Sequence, residues 1–186
     1  SRRKNSVLFV GPPGCGKTHL MKTLAATITA SPTKGTYFKS ASSKWWNNYN
    51  GQDVVILDEI GQEGSPLTRE DLNIMLDQEP SYWEQKGGHI GVTATRFLLA
   101  SNKEPQEWFR GVRDMHLVDS VLGRLGAYYR IPVSHPPDEA CTSHCVDGQH
   151  PWRIWAHGLP DPEQLPRRSV ADTDTVVAVA VPACLL

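Results

Sequence analysis

Residues 11–18 read GPPGCGKT, and they follow the apolar run VLFV at positions 7–10. Their spacing fits the pattern G-x-x-x-x-G-K-[ST], in which a glycine-rich turn joins a buried strand to a helix. Such a turn points successive backbone N–H groups at phosphate oxygens, and the helix N-terminus adds partial positive charge. Because the flanking context matches, we favour a nucleotide-binding α/β domain over a chance glycine-rich turn. The predicted nucleotide-binding residues are Gly11, Pro12, Pro13, Gly14, Cys15, Gly16, Lys17 and Thr18.

A second apolar run, VVIL at positions 54–57, ends in the acids Asp58 and Glu59. Phosphoryl transfer needs an acid near the metal ion and a group that orients the attacking water. We therefore expect ATP and Mg²⁺ as cofactors, with Lys17 on the β- and γ-phosphates and Thr18 and Asp58 at the metal. Glu59 is the candidate base. Two adjacent acids can also be plain solvent-facing charges, but the phosphate loop upstream favours the functional interpretation and an ATPase over a small-molecule kinase.

Strand-like and helix-like segments alternate along the chain, which indicates an α/β fold with a mostly parallel central sheet flanked by helices. Thr68, with Asp71 three residues later, is the predicted cap of one helix. The predicted strands are 7–10, 36–41, 53–60, 95–101 and one near 127–133, the predicted helices are 18–28, 67–80, one starting at 105 and one near 119, and a glycine-centred hairpin is predicted over 84–92.

The chain has 186 residues and a net charge of −1, so any contact with a polyanion must be local. Many of the prolines lie beyond position 130, and we expect a packed domain over 1–134 and an irregular tail over 135–186. The four cysteines do not form a disulfide pattern, which favours a reducing, intracellular setting. The tail VVAVAVPACLL is too short to span a bilayer, so no membrane segment is expected. The chain lacks an initial Met and a signal peptide, and we expect a fragment without its N-terminal partner domain.

Three stretches in order, GPPGCGKT, SSKWWNNYNGQDVVILDEI and LDQEPSYWEQKGGHIGVTATRFLLASNKEPQEWF, resemble one known family. They are similar to the helicase domain of replication-associated proteins from circular single-stranded DNA viruses, with circoviruses and their environmental relatives the closest group. These proteins are superfamily 3 helicases, a branch of the AAA+ ATPases with the P-loop NTPase fold. The resemblance covers roughly residues 7–131.

The resemblance implies further site residues. By this resemblance, GPPGCGKT matches the Walker A motif, and Asp58 and Glu59 match Walker B. Asn102 matches the sensor asparagine, at the tip of a strand between the strands of those two motifs, which contacts the γ-phosphate or its attacking water. Arg124 in VLGRLG matches the arginine finger, although Leu125 stands where the family has a second arginine; Arg113 is the alternative. A hairpin that lines the channel of a ring and grips the nucleic-acid strand corresponds to Lys86, Gly87, Gly88 and His89.

The implied function is an ATP-dependent helicase that unwinds DNA during rolling-circle replication in the host nucleus. It would work as a ring, a hexamer by resemblance, and the whole protein would carry an N-terminal endonuclease domain. Two alternatives stay open: an RNA helicase of the positive-strand RNA virus type, and a non-catalytic nucleotide-binding assembly module from a decayed viral gene.

Two clusters have less specific patterns. The spacing of CTSHCVDGQH fits no familiar zinc finger, although two cysteines and two histidines are able to bind zinc. Trp45 and Trp46 are predicted to pack the domain rather than stack on bases. The four potential zinc ligands are Cys141, His144, Cys145 and His150.

Overall fold

A five-stranded parallel sheet forms the centre of the protein, as the alternating sequence pattern predicts. The computed structural model describes residues 5–11, 13, 17–108, 120–130, 167–172, 175–180 and 185. The sheet has the strand order β2-β3-β6-β1-β7, and β4 pairs with β5 in a separate antiparallel hairpin. The elements are β1 (Asn5–Val10), α1 (Lys17–Ile28), β2 (Tyr37–Ser40), β3 (Val54–Asp58), α2 (Arg69–Leu76), β4 (Ser81–Gln85), β5 (Gly88–Val92), β6 (Arg96–Ser101), a 3-10 turn (Pro105–Glu107), β7 (Ala127–Arg130), β8 (Arg167–Asp172) and β9 (Thr175–Ala180).

The two faces of the sheet are both buried, which explains why its strands read as continuous apolar runs. Side chains alternate along each strand, so Val7 and Phe9 pack with α1 on one face. Leu8 and Val10 point to the other face, where they join the cluster that contains α2 and Trp46. The sheet is therefore the middle layer of an α/β domain, and α1 and α2 cover opposite faces.

The N-terminus of α2 carries the predicted cap. The Thr68 hydroxyl accepts a hydrogen bond from the Asp71 N–H (3.2 Å), and the Thr68 N–H donates to the Asp71 carboxylate (2.9 Å), which forms a capping box. The predicted extension of this helix to residue 80 is wrong. It ends at Leu76, with Asp77 in an extended conformation, and Pro80 disfavours helical backbone at the residue before it.

Within the segment predicted to be an irregular tail, the structure describes two strands, over 167–172 and 175–180. Strands β8 and β9 pair antiparallel there, with Asp172 opposite Thr175. The β9 sequence TVVAVA is rich in β-branched residues, which favour strands. Further on, Leu185 is buried in the core cluster with α1, and its carbonyl accepts from the Arg96 guanidinium (2.6 Å). The boundary at residue 134 stays a prediction. No helix within the described ranges is long and apolar enough to cross a membrane.

Candidate nucleotide site and strand-binding hairpin

The carboxyl ends of β1 and β3 bring together three residues that lie far apart in the sequence. Lys17, the first residue of α1, is buried and donates from Nζ to the Gly11 carbonyl (2.7 Å). Next to it, the Thr18 hydroxyl donates to the Asp58 carboxylate. The structure thus joins the predicted phosphate-binding and metal-binding side chains at one edge of the sheet, where ligands of open parallel sheets bind.

Part of the phosphate loop lies outside the described residues, namely Pro12, Gly14, Cys15 and Gly16. Of the rest, Pro13 is exposed in a turn, and Gly11 is buried at the end of β1. The Gly11 N–H donates to the Ser101 carbonyl (3.2 Å), so the start of the loop is tied to the end of β6.

The donor set at Thr18 and Asp58 suits Mg²⁺. Both side chains present oxygen atoms, the ligand type that this hard cation prefers, and they already touch each other. Mg²⁺ is usually held by one or two carboxylates together with substrate phosphates and water. Where the structure describes the chain, no group of three or more His, Cys, Asp and Glu side chains is arranged to hold a metal. Phosphates and water would therefore complete the coordination.

Glu59 occupies a strained turn directly after Asp58. Its φ of 53° is left-handed, a conformation that costs a non-glycine residue about 1–3 kcal/mol and that clusters at functional sites. The Glu59 N–H donates to the Asp58 carboxylate (2.8 Å), which stabilises the turn, and the side chain is exposed. Both acids line an open cavity of about 350 Å³, and its other lining residues lie at 39–42 and 62–66.

Lys39 lines the same cavity, although no sequence motif indicated it as a site residue. It is buried near the end of β2, and its Nζ donates to the carbonyls of Ser40 (2.7 Å) and Ser43. Burial lowers the pKa of Lys39 to about 8, and the charge of Asp71 acts in the opposite direction. Strand alternation places Lys39 on the same face as buried Tyr37, and that periodicity was the available signal.

Asn102 directly follows β6, and β6 lies between β1 and β3 in the sheet. This half-buried residue therefore lies at the same carboxyl end of the strands as Lys17 and Asp58. The preceding residue, Ser101, stabilises this end of the sheet through two hydrogen bonds. Its hydroxyl donates to the Ile60 carbonyl (2.8 Å) and accepts from the Trp108 indole N–H (2.9 Å). Hydrogen bonds of Ser101 therefore join the turn after β3, the end of β6 and the segment after β6.

Gly61 lies against Trp108 in this part of the site, and only glycine fits there. Its φ is +80°, and an added Cβ would lie 2.2 Å from Cδ1 of Trp108. We expect Gly61→Ala to lower the free energy of unfolding by roughly 2–5 kcal/mol, since left-handed backbone costs about 1–2 kcal/mol and overpacking about 1–3 kcal/mol. Urea unfolding measures the change.

Gly64→Ala is the matched control for this substitution. Gly64 also has a left-handed φ, of +76°, but no atom lies within 4 Å of its added Cβ. Its cost should therefore be limited to the backbone, about 1–2 kcal/mol. Equal losses for the two variants would contradict the packing of Trp108 on Gly61.

The predicted glycine-centred hairpin is present and longer than expected, over residues 81–92. Lys86 and Gly87 form its turn, with φ +90° at Gly87, and the side chains of Lys86 and His89 are exposed. Gly88 begins the second strand, where it pairs with Gln85. The turn therefore presents an exposed cation.

The segment after β2 anchors this hairpin. The Trp46 N–H donates to the Glu84 carbonyl (2.9 Å), and the Asn47 side-chain oxygen accepts from the Lys86 N–H (2.8 Å). The ring of Trp46 is fully buried and stacks on Trp83 of β4, with centroids 5.5 Å apart. The prediction that Trp46 packs the domain is confirmed, and this packing fixes the base of the hairpin.

Arg124 does not join Lys17 and Asp58. Its carbonyl accepts from the Ser6 hydroxyl (3.3 Å), and its guanidinium lies 3.7 Å from the Asp77 carboxylate. Ser6 stands near the start of β1, about 17 Å from Gly11 at a strand rise of about 3.3 Å per residue. Arg124 thus lies near the amino ends of the strands, at the opposite end of the sheet from Gly11. The alternative finger Arg113 and the cluster at Cys141 lie outside the described residues.

Comparison with known proteins finds several viral replication-associated proteins among the relatives of this chain. The family model described as RNA helicase matches residues 7–82. The replication-associated protein of Porcine circovirus 1 is 37% identical over 102 residues, which cover 55% of this chain and 30% of the relative. That of Porcine circovirus 2 is 36% identical over 58% of this chain and 31% of its own length. That of Goose circovirus is 34% identical over 66% of this chain and 37% of its own. The chain spans about a third of the length of these curated relatives.

Proposed function

Because this chain carries a superfamily 3 helicase domain related to the circovirus replication-associated proteins, we propose that it hydrolyses ATP to move along one DNA strand and unwind the duplex during rolling-circle replication. The observation that carries the proposal is the contact between the Thr18 hydroxyl and the Asp58 carboxylate beside buried Lys17. That arrangement supports the proposal, because it brings a lysine suited to bind phosphate next to two oxygen groups suited to bind a metal, as ATP hydrolysis needs.

In the proposed reaction, Lys17 and the N-terminus of α1 would hold the β- and γ-phosphates. The oxygens of Thr18 and Asp58 would hold Mg²⁺, which when bound supplies positive charge against the phosphate oxygens. Glu59 would orient the attacking water and accept its proton, and Asn102 would contact the γ-phosphate or that water. The strained turn at Glu59 and the hydrogen bonds of Ser101 keep these groups at one end of the sheet.

The position of Arg124 supports assembly as a ring, which we propose to be a hexamer. An arginine that stabilises the charge of the transition state must reach the γ-phosphate. Arg124 lies at the far end of the sheet from its own Lys17, where it would face the nucleotide of a neighbouring copy. Each ATP would then lie at a subunit interface. An N-terminal endonuclease domain in the whole protein belongs to the same proposal.

The hairpin residues Lys86 and His89 would contact the strand in the ring channel. We expect Lys86→Ala to weaken binding of an oligonucleotide about tenfold, equally for all sequences, and to reduce the slope of log affinity against log salt by about 1. Basal ATP hydrolysis without a strand should be unchanged, because Lys86 is exposed and does not line the cavity at Asp58 and Glu59. Fluorescence anisotropy at several salt concentrations and an unwinding assay measure these effects.

Lys22→Ala is the control for lost positive charge, since Lys22 is an exposed lysine on α1. It should bind and unwind like the parent protein. If Lys86→Ala unwinds a duplex as fast as the parent, the hairpin does not grip the strand.

RNA is the second candidate strand, because the matching family model is described as RNA helicase. Backbone contacts from a lysine do not distinguish the two nucleic acids, so the hairpin leaves the choice to experiment. Stimulation of ATP hydrolysis by oligo(dT) and by oligo(U) of equal length separates them. Greater stimulation by oligo(U) would replace DNA by RNA in the proposal.

A further inference from the structure

Tyr82 on β4 is the most exposed large hydrophobic side chain among the described residues. Its exposed fraction is 74%, against 53% for Phe38 and 52% for Ile74. An exposed aromatic ring gains little hydrophobic stabilisation in the folded monomer. On the proposed strand-binding hairpin, this ring is therefore available for contact with a bound strand.

The hairpin register places Tyr82 on the same face as His89. Tyr82 lies opposite Gly91, and Glu84 lies opposite His89, so these four residues share one face of the two-stranded sheet. Their alternation partners Trp83 and Ile90 are half-buried against the core. The outward face consequently carries an aromatic ring, an imidazole and, in the adjoining turn, Lys86.

Gly91 gives the ring a flat support. A Cβ added at Gly91 would lie 3.3 Å from Cε1 of Tyr82 and 3.6 Å from Cδ1, so the ring lies over the glycine backbone. One side of the ring is thus seated on the hairpin while most of the side chain stays open to solvent. A seated ring loses little conformational freedom when a second planar group stacks on its open side.

Charges around the ring suit a polyanion. The Glu84 carboxylate, the acid on this face, lies 3.2 Å from the Lys44 ammonium, which offsets its charge. Lys86 adds a positive charge in the turn, four positions along the chain from Tyr82. Sites for single-stranded nucleic acid combine cations that follow the backbone with aromatic rings on which bases stack.

We propose that Tyr82 is a base-stacking platform: its ring stacks on one base of the single strand whose phosphates Lys86 contacts. This inference rests on the proposed function of the hairpin. It adds a contact to the bases, which the backbone grip of Lys86 does not provide. Stacking of this kind tolerates every base, as a motor on nucleic acid requires.

The test compares the full chain with Tyr82→Ala and Tyr82→Phe on two fluorescent strands of equal length, oligo(dT) and its fully abasic counterpart. Tyr82→Ala should bind oligo(dT) about tenfold more weakly and bind the abasic strand like the parent, because only bases stack. Tyr82→Phe should bind both strands like the parent. Phe38→Ala, which removes an exposed ring on β2, is the matched control and should change neither affinity.

A strand containing 2-aminopurine adds a spectroscopic readout. Stacking on an aromatic ring should quench its fluorescence with the parent and with Tyr82→Phe, and Tyr82→Ala should leave it bright. Unchanged affinity of Tyr82→Ala for oligo(dT) overturns the platform. An equal loss on oligo(dT) and on the abasic strand also overturns it, since the ring would then act by covering Gly91 and shaping the hairpin.

Failure of the proposed function gives a different pattern. If the parent protein binds neither strand, the hairpin has no nucleic-acid role at all. If the parent binds and Lys86→Ala weakens both strands while Tyr82→Ala weakens neither, the proposed function stands and the platform alone is lost.

Discussion

Substitution of Glu59 by Gln is expected to lower kcat for ATP hydrolysis by about 10²- to 10⁴-fold, with ATP affinity changed by less than about twofold. The amide keeps the size of the side chain and the backbone N–H that donates to Asp58 (2.8 Å). It does not accept a proton from the attacking water. Single-turnover hydrolysis and binding of a fluorescent ATP analogue separate the two effects.

Glu79→Gln, which neutralises an exposed acid beyond the end of α2, is the control for the change in net charge. It should hydrolyse ATP like the parent. If Glu59→Gln hydrolyses ATP as fast as the parent, water is activated elsewhere, and Glu63 in the same cavity becomes the next acid to test.

Substitution of Trp46 by Ala is expected to lower the free energy of unfolding by about 3–5 kcal/mol, the range for large-to-small changes at a fully buried aromatic residue. Trp46 is fully buried, and three other rings lose a neighbour when it is removed. Its ring centroid lies 5.4 Å from Tyr37, 5.9 Å from Tyr49 and 5.5 Å from Trp83. Urea unfolding followed by circular dichroism measures the loss.

Trp45→Ala provides a neighbouring comparison for Trp46. The Trp45 side chain is half-buried, and its ring has the Lys44 ammonium 4.6 Å from its centroid. Its removal should cost about 1 kcal/mol, as for a partly exposed surface residue. A larger loss for Trp45→Ala than for Trp46→Ala would contradict the packing at the base of the hairpin.

Local patterns predicted the parts of the fold that depend on neighbouring residues. The apolar runs around Val7 and Val54 predicted buried parallel strands, because both faces of the sheet are covered. Thr68 and Asp71 predicted a helix start, because a capping box needs only four consecutive residues. The glycines after Lys86 predicted a hairpin turn, since one of them takes a left-handed backbone.

Features that depend on distant contacts were missed or misjudged. Lys39 was not singled out, because its inward position depends on the pairing of β2 with β3 and on the carbonyls that its ammonium meets. The strands over 167–172 and 175–180 lie in a segment that was expected to be irregular, because the prolines before them outweighed their β-branched residues. Helix α2 was predicted to extend too far. Apolar periodicity does not show that the backbone becomes extended at Asp77, where the helix ends.

By itself, the sequence determined that this chain has the chemistry for a nucleotide site. The residues predicted to hold phosphates are contiguous in GPPGCGKT, so a tight turn and a helix N-terminus would suffice to position them. Only the tertiary structure decided which groups meet that site and which do not. It brought the Asp58 carboxylate to the Thr18 hydroxyl, and it placed Arg124 at the opposite end of the strands and the ring of Tyr82 over the backbone of Gly91. These distances depend on the strand order and the hairpin register, which join residues that lie far apart in the chain.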